Sequence, residues 1–258
     1  MAKQWARFPH SQGGYAYDVA ALARQWARLH RGDGEAVPKD AKALDAWRFF
    51  HAGEFQQAVA LGRGAGASGT RAAVKAQTVY AVYLEKNDRA RLELLQEAFG
   101  WADALRKKDA ADAQAHYLYA FALGRYGQGI SVAKALAQGF GGKLREALTR
   151  ALELAPRHAE AHSAFGAYQS EVIDKVGGLV AGVTYGARKD SAVEHFTKAL
   201  ELFPESPIAH VEYANGLLRL FGQTRIDEAT RLYEKAAKLK PADAMERLDV
   251  ELAKSELE

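Results

Sequence analysis

The chain has 258 residues, 48% hydrophobic and 26% charged, with 35 Lys/Arg against 32 Asp/Glu and no cysteine. That is the composition of a folded chain, and the missing thiols exclude disulfides and thiolate metal sites. Residues 1–129 hold 18 Lys/Arg against 13 Asp/Glu and the remainder 17 against 19, without a block of like charge, which speaks against a nucleic-acid partner.

Residues 1–15 carry turn signals at Phe8-Pro9 and Gly13-Gly14. A helix is expected from about Tyr17 to His30, with Val19, Leu22, Trp26 and Leu29 on one side and arginines on the other. Arg24, Arg28 and Arg31 interrupt it, so the start does not read as a secretory signal. A basic amphipathic helix can lie on a membrane; covering the first repeat is the reading adopted. Residues 1–40 thus form an N-terminal arm and capping helix, ahead of a helical domain over 41–258. No stretch has the roughly eighteen apolar residues of a membrane span, and a cytoplasmic protein is expected.

Residues 41–61 read as a helical hairpin turning near Gly53, and Gly62–Arg71 as a flexible linker by composition. The linker contains Gly64-Ala65-Gly66-Ala67-Ser68-Gly69, which matches the dinucleotide pattern letter for letter. That motif works between a strand and a helix, where its glycines let backbone amides meet a pyrophosphate. A helical segment precedes it here, so no cofactor is expected.

From Val74 onward a helix pair recurs. Ala76-Gln77-Thr78-Val79-Tyr80-Ala81 returns around His116, His162 and His210, at spacings of 39, 46 and 48 residues between the polar positions. The shared frame is Ala, a polar residue, two variable places, an aromatic, then Ala or Gly. The preceding helix recurs too: Leu148, Ala151, Leu152 and Pro156 correspond to Phe196, Ala199, Leu200 and Pro204. The clearest copy is Ser191–Leu217, where Pro204 stops one helix and Pro207 opens the next. Asp243–Glu258 reads as a charged helix capping the last open face.

These pairs resemble tetratricopeptide (TPR) repeats, on Ala192, Phe196, Ala199, Pro204, Tyr213 and Ala214, with His116, His162 and His210 where a tryptophan is usual. The resemblance covers about Ala41 to Ala253. It implies an all-α fold of antiparallel helix pairs stacked as a right-handed solenoid. Two repeats exceed the family's roughly 34 residues, through glycine-rich insertions at Gly127–Lys143 and Asp174–Asp190. Such insertions, with Gly129-Ile130, Lys143 and the following ALEL and proline, are similar to those of bacterial relatives of the eukaryotic regulator-of-microtubule-dynamics proteins. Microtubule binding is not carried over.

No residue pattern points to chemistry. There is no Gly-x-Ser-x-Gly, and Gly141-Gly142-Lys143 is followed by Leu144 instead of a phosphate loop's hydroxyl. His158 and His162 lie one turn apart, as metal pairs do, but Glu160 points off that face and supplies no third ligand. His116, His162 and His210 share one repeat position, so they read as packing residues.

Binding is the expected function: a non-catalytic scaffold for a protein or peptide, on the concave face of its first helices. In the TPR register that face takes Thr78, Val82 and Lys86; Tyr117, Phe121 and Arg125; Ser163, Ala167 and Glu171; and Val211, Asn215 and Arg219. Arg and Asn suit a peptide's carboxylate or backbone, and Tyr117 and Phe121 its apolar side chains. Asn215 matches a carboxylate-clamp position of some TPR domains, while Val211 stands where a clamp lysine is expected. The alternative is a small hydrophobic ligand or lipid held in a pocket formed with the two insertions.

Overall fold

The structure, a computed structural model, describes residues 4–11 and 14–258. Residues 1–3 and 12–13, part of the expected irregular start, lie outside the described residues. No strand occurs among the described residues, and the chain divides into two compact units.

The first unit takes the chain to His30, Glu35–Gly129 and Ala242–Met245. It holds α1 (Val19–Leu29), α2 (Ala41–His51), α3 (Phe55–Gly62), α4 (Gly66–Tyr83), α5 (Asp88–Lys108) and α6 (Ala113–Gly129). Asp18, Asp40 and Asn87 cap α1, α2 and α5 by accepting the backbone N–H three residues on, at 2.6, 2.8 and 2.9 Å, which satisfies donors a helix start leaves open. Leu22, Trp26 and Leu29 of α1 are buried, and Trp26 meets Trp47 of α2 edge-on. Successive helices pack as antiparallel pairs, and α4 lies against both α2 and α6.

Gly62–Arg71 is not a flexible linker. The α3 helix ends at Gly62 and α4 begins at Gly66, across the turn 63–65. Composition misleads here because the glycines serve a close helix crossing. A Cβ on Gly69 would stand 2.6 Å from that of Ala65 and 2.8 Å from the Gly62 carbonyl oxygen, a fit only glycine allows. Ser68 of the same run accepts from Trp47 Nε1 at 3.1 Å and donates to Glu35 at 2.7 Å.

The second unit takes Arg31–Gly34, Ile130–Pro241 and Glu246–Glu258. It holds α7 (Val132–Ala137), α8 (Phe140–Leu154), α9 (Ala159–Tyr185), α10 (Lys189–Leu202), α11 (Pro207–Phe221), α12 (Ile226–Lys238) and most of α13 (Ala244–Ser255). Ser206 caps α11 and Pro207 is its first residue. The α10 residue Phe196 is fully buried and stacks on Tyr213 of α11, centroids 5.2 Å apart at 13°. Its ring is gripped between Gly166 of α9 and Gly216 of α11: a Cβ on Gly166 would approach it to 2.8 Å, and one on Gly216 would overlap it. Val211, Ala214 and Leu217 then share a core with Ala229, Tyr233 and Ala236 of α12 and Ala253 of α13.

Of the first insertion, residues 131–143 form α7 and the start of α8; the second continues α9 through a break at Gly177, φ 77° and ψ 155°. That conformation favours glycine, so the residue bends the helix. The two stretches meet, since a Cβ on Gly141 would lie 2.7 Å from the Tyr185 ring and 2.8 Å from Leu136. Beyond the bend, Leu179 and Val183 are 83% and 82% exposed.

Candidate functional site

The repeat histidines tie each first helix to the turn before it. His116 Nε2 lies 3.2 Å from the Ala110 carbonyl oxygen, His162 Nε2 3.0 Å from that of Pro156, and His210 Nδ1 2.9 Å from that of Ser206. Each ring nitrogen donates there, which accounts for the recurrence without a ligand. His158 is the N-cap of α9, its Nδ1 accepting from the Ala161 N–H at 3.1 Å. The partner of His162 is instead His195 of α10, Nδ1 to Nδ1 at 2.9 Å. With its Nε2 donating to Pro156, His162 presents a lone pair at Nδ1, and His195 supplies the proton between them. Burial pushes His195 down to about 4, helped by His162. Burial also lowers His162, with Lys198 adding to the shift against the Pro156 hydrogen bond.

In the first unit, Tyr117, Phe121 and Arg125 form a ladder along α6. Tyr117 and Phe121 stack with centroids 5.9 Å apart at 9°, and the Arg125 guanidinium stands 5.8 Å from the Phe121 ring. Arg125 also donates to Gln128 at 3.1 Å. Tyr117 is buried, while Phe121 and Arg125 are half-buried. Thr78 has no exposed surface and its hydroxyl donates to the Val74 carbonyl at 2.8 Å, so it offers a partner nothing. Lys86 is exposed but follows the end of α4 at Tyr83, in the loop to α5; the helical register does not reach it.

In the second unit, α9 and α11 bring Glu171 and Arg219 to 3.5 Å, with side chains 15% and 31% exposed. The second terminal nitrogen of that guanidinium, Nη1, is shielded from solvent and has no hydrogen-bond acceptor. One turn earlier, Asn215 Oδ1 accepts from the Tyr233 hydroxyl of α12 at 2.7 Å. Burial raises that phenol to about 12, with Glu256 and Glu212 adding and Arg219 opposing, so it remains a donor at neutral pH. Ser163 is buried and Ala167 half-buried. Val211 belongs to the core shared with Ala253, which removes it from any clamp.

A buried polar chain in the first unit escaped the sequence reading. Asp243 Oδ2 lies 2.7 Å from His51 Nδ1, and His51 Nε2 lies 3.3 Å from His30 Nε2. Trp26 stacks on His30 at 4.2 Å. Burial holds His51 below its ordinary value, opposed by Asp243 and aided by His30 and Lys75. The signal was present, since Trp26 precedes His30 by four residues and Trp47 precedes His51 by four. Among the described residues no group of three or more His, Asp or Glu is placed to hold a metal ion. Nor is any helix long and apolar enough to cross a membrane.

Residues 70–258 match the family model of regulator of microtubule dynamics protein 1-3. Among solved structures, a thermophilic TPR protein of Thermus thermophilus aligns over 83% of this chain and 97% of its own, at 17% identity and a TM-score of 0.56. YrrB, described as a TPR protein with an unusual peptide-binding site, aligns over 92% of this chain and 100% of its own, at 15% identity and a TM-score of 0.41. A comparison with curated proteins gave no match. The helix pairs are those of a TPR-like all-α fold.

Proposed function

The chain belongs to the regulator of microtubule dynamics protein 1-3 family, and from that premise we propose that it is a non-catalytic scaffold in the cytoplasm that binds a protein or peptide. The observation that carries this reading is the state of Arg219. Its Nη2 reaches Glu171 only at 3.5 Å, on a side chain 31% exposed, beside Asn215. A guanidinium held this loosely can exchange Glu171 for a partner's carboxylate. Phe121 and Arg125 of the first unit support the same reading, since they offer a half-exposed ring with a charge beside it. Glu171, by pairing with Arg219, sets what an incoming acceptor must displace. Replacing Phe121, Arg125, Asn215 and Arg219 by alanine together is expected to abolish capture of the partner from native lysate while leaving the far-ultraviolet circular dichroism unchanged. Undiminished capture would remove these faces from the reading.

A second reading rests on the bent end of α9. Leu179 and Val183 stand exposed on the second insertion, whose Tyr185 meets Gly141 of the first, and an aliphatic ligand or lipid would find its contact there. Native mass spectrometry of protein purified from its own cells tests it through a copurifying small molecule.

A further inference from the structure

We propose that residues Trp5–Phe8 occupy, in cis, a peptide-binding site of the first unit whose external ligand is an extended segment carrying a Trp-x-x-Phe pair. The segment has no regular secondary structure, and side chains of the unit satisfy its backbone. Trp5 N–H donates to Gln56 Oε1 of α3 at 3.1 Å, and Ala6 N–H donates to the Tyr80 hydroxyl of α4 at 3.1 Å. An extended peptide is held this way when main-chain bonds give affinity and side-chain pockets give selectivity. The Tyr80 hydroxyl also faces Glu85 at 3.5 Å, whose other oxygen accepts from the Asn87 N–H at 2.9 Å. That arrangement turns the hydroxyl proton away and leaves a lone pair for Ala6.

Two side chains anchor the segment. Trp5 stacks on Tyr80 with centroids 4.0 Å apart at 18°. Phe8 sits over Gly53, where a Cβ would come within 2.8 Å of its ring, and Gly53 itself has φ +82°. Pro9 restricts Phe8 to extended backbone, so the segment is partly ordered before it docks. Both anchors are only half-buried, while Ala6, Arg7 and Pro9 are exposed. A segment laid on a surface by two half-exposed rings is displaceable by another of the same chemistry. The site uses α3, α4 and the turn at Gly53, and none of the residues of the α6 and α11 faces, so it stands or falls apart from them.

The test uses the full chain carrying Trp5→Ala and Phe8→Ala, with a fluorescein-labelled peptide of residues 4–11 in trans, read by anisotropy. The variant is expected to bind the peptide roughly tenfold more tightly than the wild type, whose tethered arm competes at high effective concentration. Tyr80→Phe in the variant background is expected to weaken binding several-fold, and a peptide with both aromatics replaced by alanine should not bind. Absence of binding with native helix content would overturn the proposal, as would equal binding by variant and wild type. Should the variant unfold, hydrogen exchange of the wild type decides. Amides of Trp5 and Ala6 exchanging far faster than the interior of α4 support a displaceable arm, and equal protection makes the arm a fixed part of the unit and ends the proposal.

Discussion

Tyr213 and Tyr80 hold the same place in the repeat frame, yet each finds its aromatic partner differently. In the second unit the partner is Phe196, carried by the adjoining 14-residue helix α10. In the first unit the adjoining helix α3 has 8 residues, and Trp5 of the N-terminal arm stacks on Tyr80 instead. The repeat position demands a flat apolar surface against its ring, and the chain supplies it from whichever segment reaches. The two solutions differ in burial: Phe196 is fully buried between two helices, whereas Trp5 remains half-exposed. One is a joint of the core and the other a strap across it.

The sharpest way to break this comparison is to remove each ring. Phe196→Ala empties the space between Gly166 and Gly216, and the backbones of α9 and α11 cannot close it without losing their contact with α10. A cost of about 3–5 kcal/mol is expected from lost transfer energy and the residual cavity, measured by urea unfolding. A cost under about 1 kcal/mol would mean that the second unit does not depend on this joint.

Trp5→Ala is expected to cost less, about 1–2 kcal/mol, because the ring gives up one stacking contact and a half-buried surface. The same unfolding measurement decides whether the order holds. If Trp5 cost as much as Phe196, the strap would be part of the core and the distinction between the two sites would fail.

The two sites also differ in how far the sequence revealed them. The Phe196 joint was legible because its parts are local: small residues and aromatics at helical spacing on either side of Pro204. Trp5 was not, because its partner lies on a helix some seventy residues on, Ala6 and Tyr80 being 74 apart, and Phe8-Pro9 reads locally only as a turn. His51 and Asp243 show the same limit at a separation of 192. Composition failed at Gly62–Arg71 because glycine serves both a flexible chain and a tight helix crossing. For the proposed binding faces, Phe121, Arg125, Asn215 and Arg219, which the register picked out, lie half-exposed. The register could not foresee that Thr78 is sealed by its neighbours, nor that α4 ends before Lys86, since both depend on how adjacent elements pack.

The smallest effect expected is a pH dependence that sharpens the account of the Phe196 joint. His195, next to Phe196, titrates at about 4 in the folded chain, against roughly 6.5 when unfolded. Between those values the unfolded chain binds more protons, so stability falls as pH drops from about 6.5 to 4. The cause is burial first and the facing His162 second: a proton added to His195 charges a ring that sits against Phe165 at 4.6 Å. Since His195 is not fully buried, solvent screens part of the penalty and the slope is modest. His195→Gln removes the titrating ring, and its urea midpoint should decline less steeply over that range than the wild type's. Parallel declines would mean that His195 is no more perturbed than an exposed histidine. The acid sensitivity of the second unit would then belong to its other titrating groups, and the pairing of His162 with His195 would contribute packing alone.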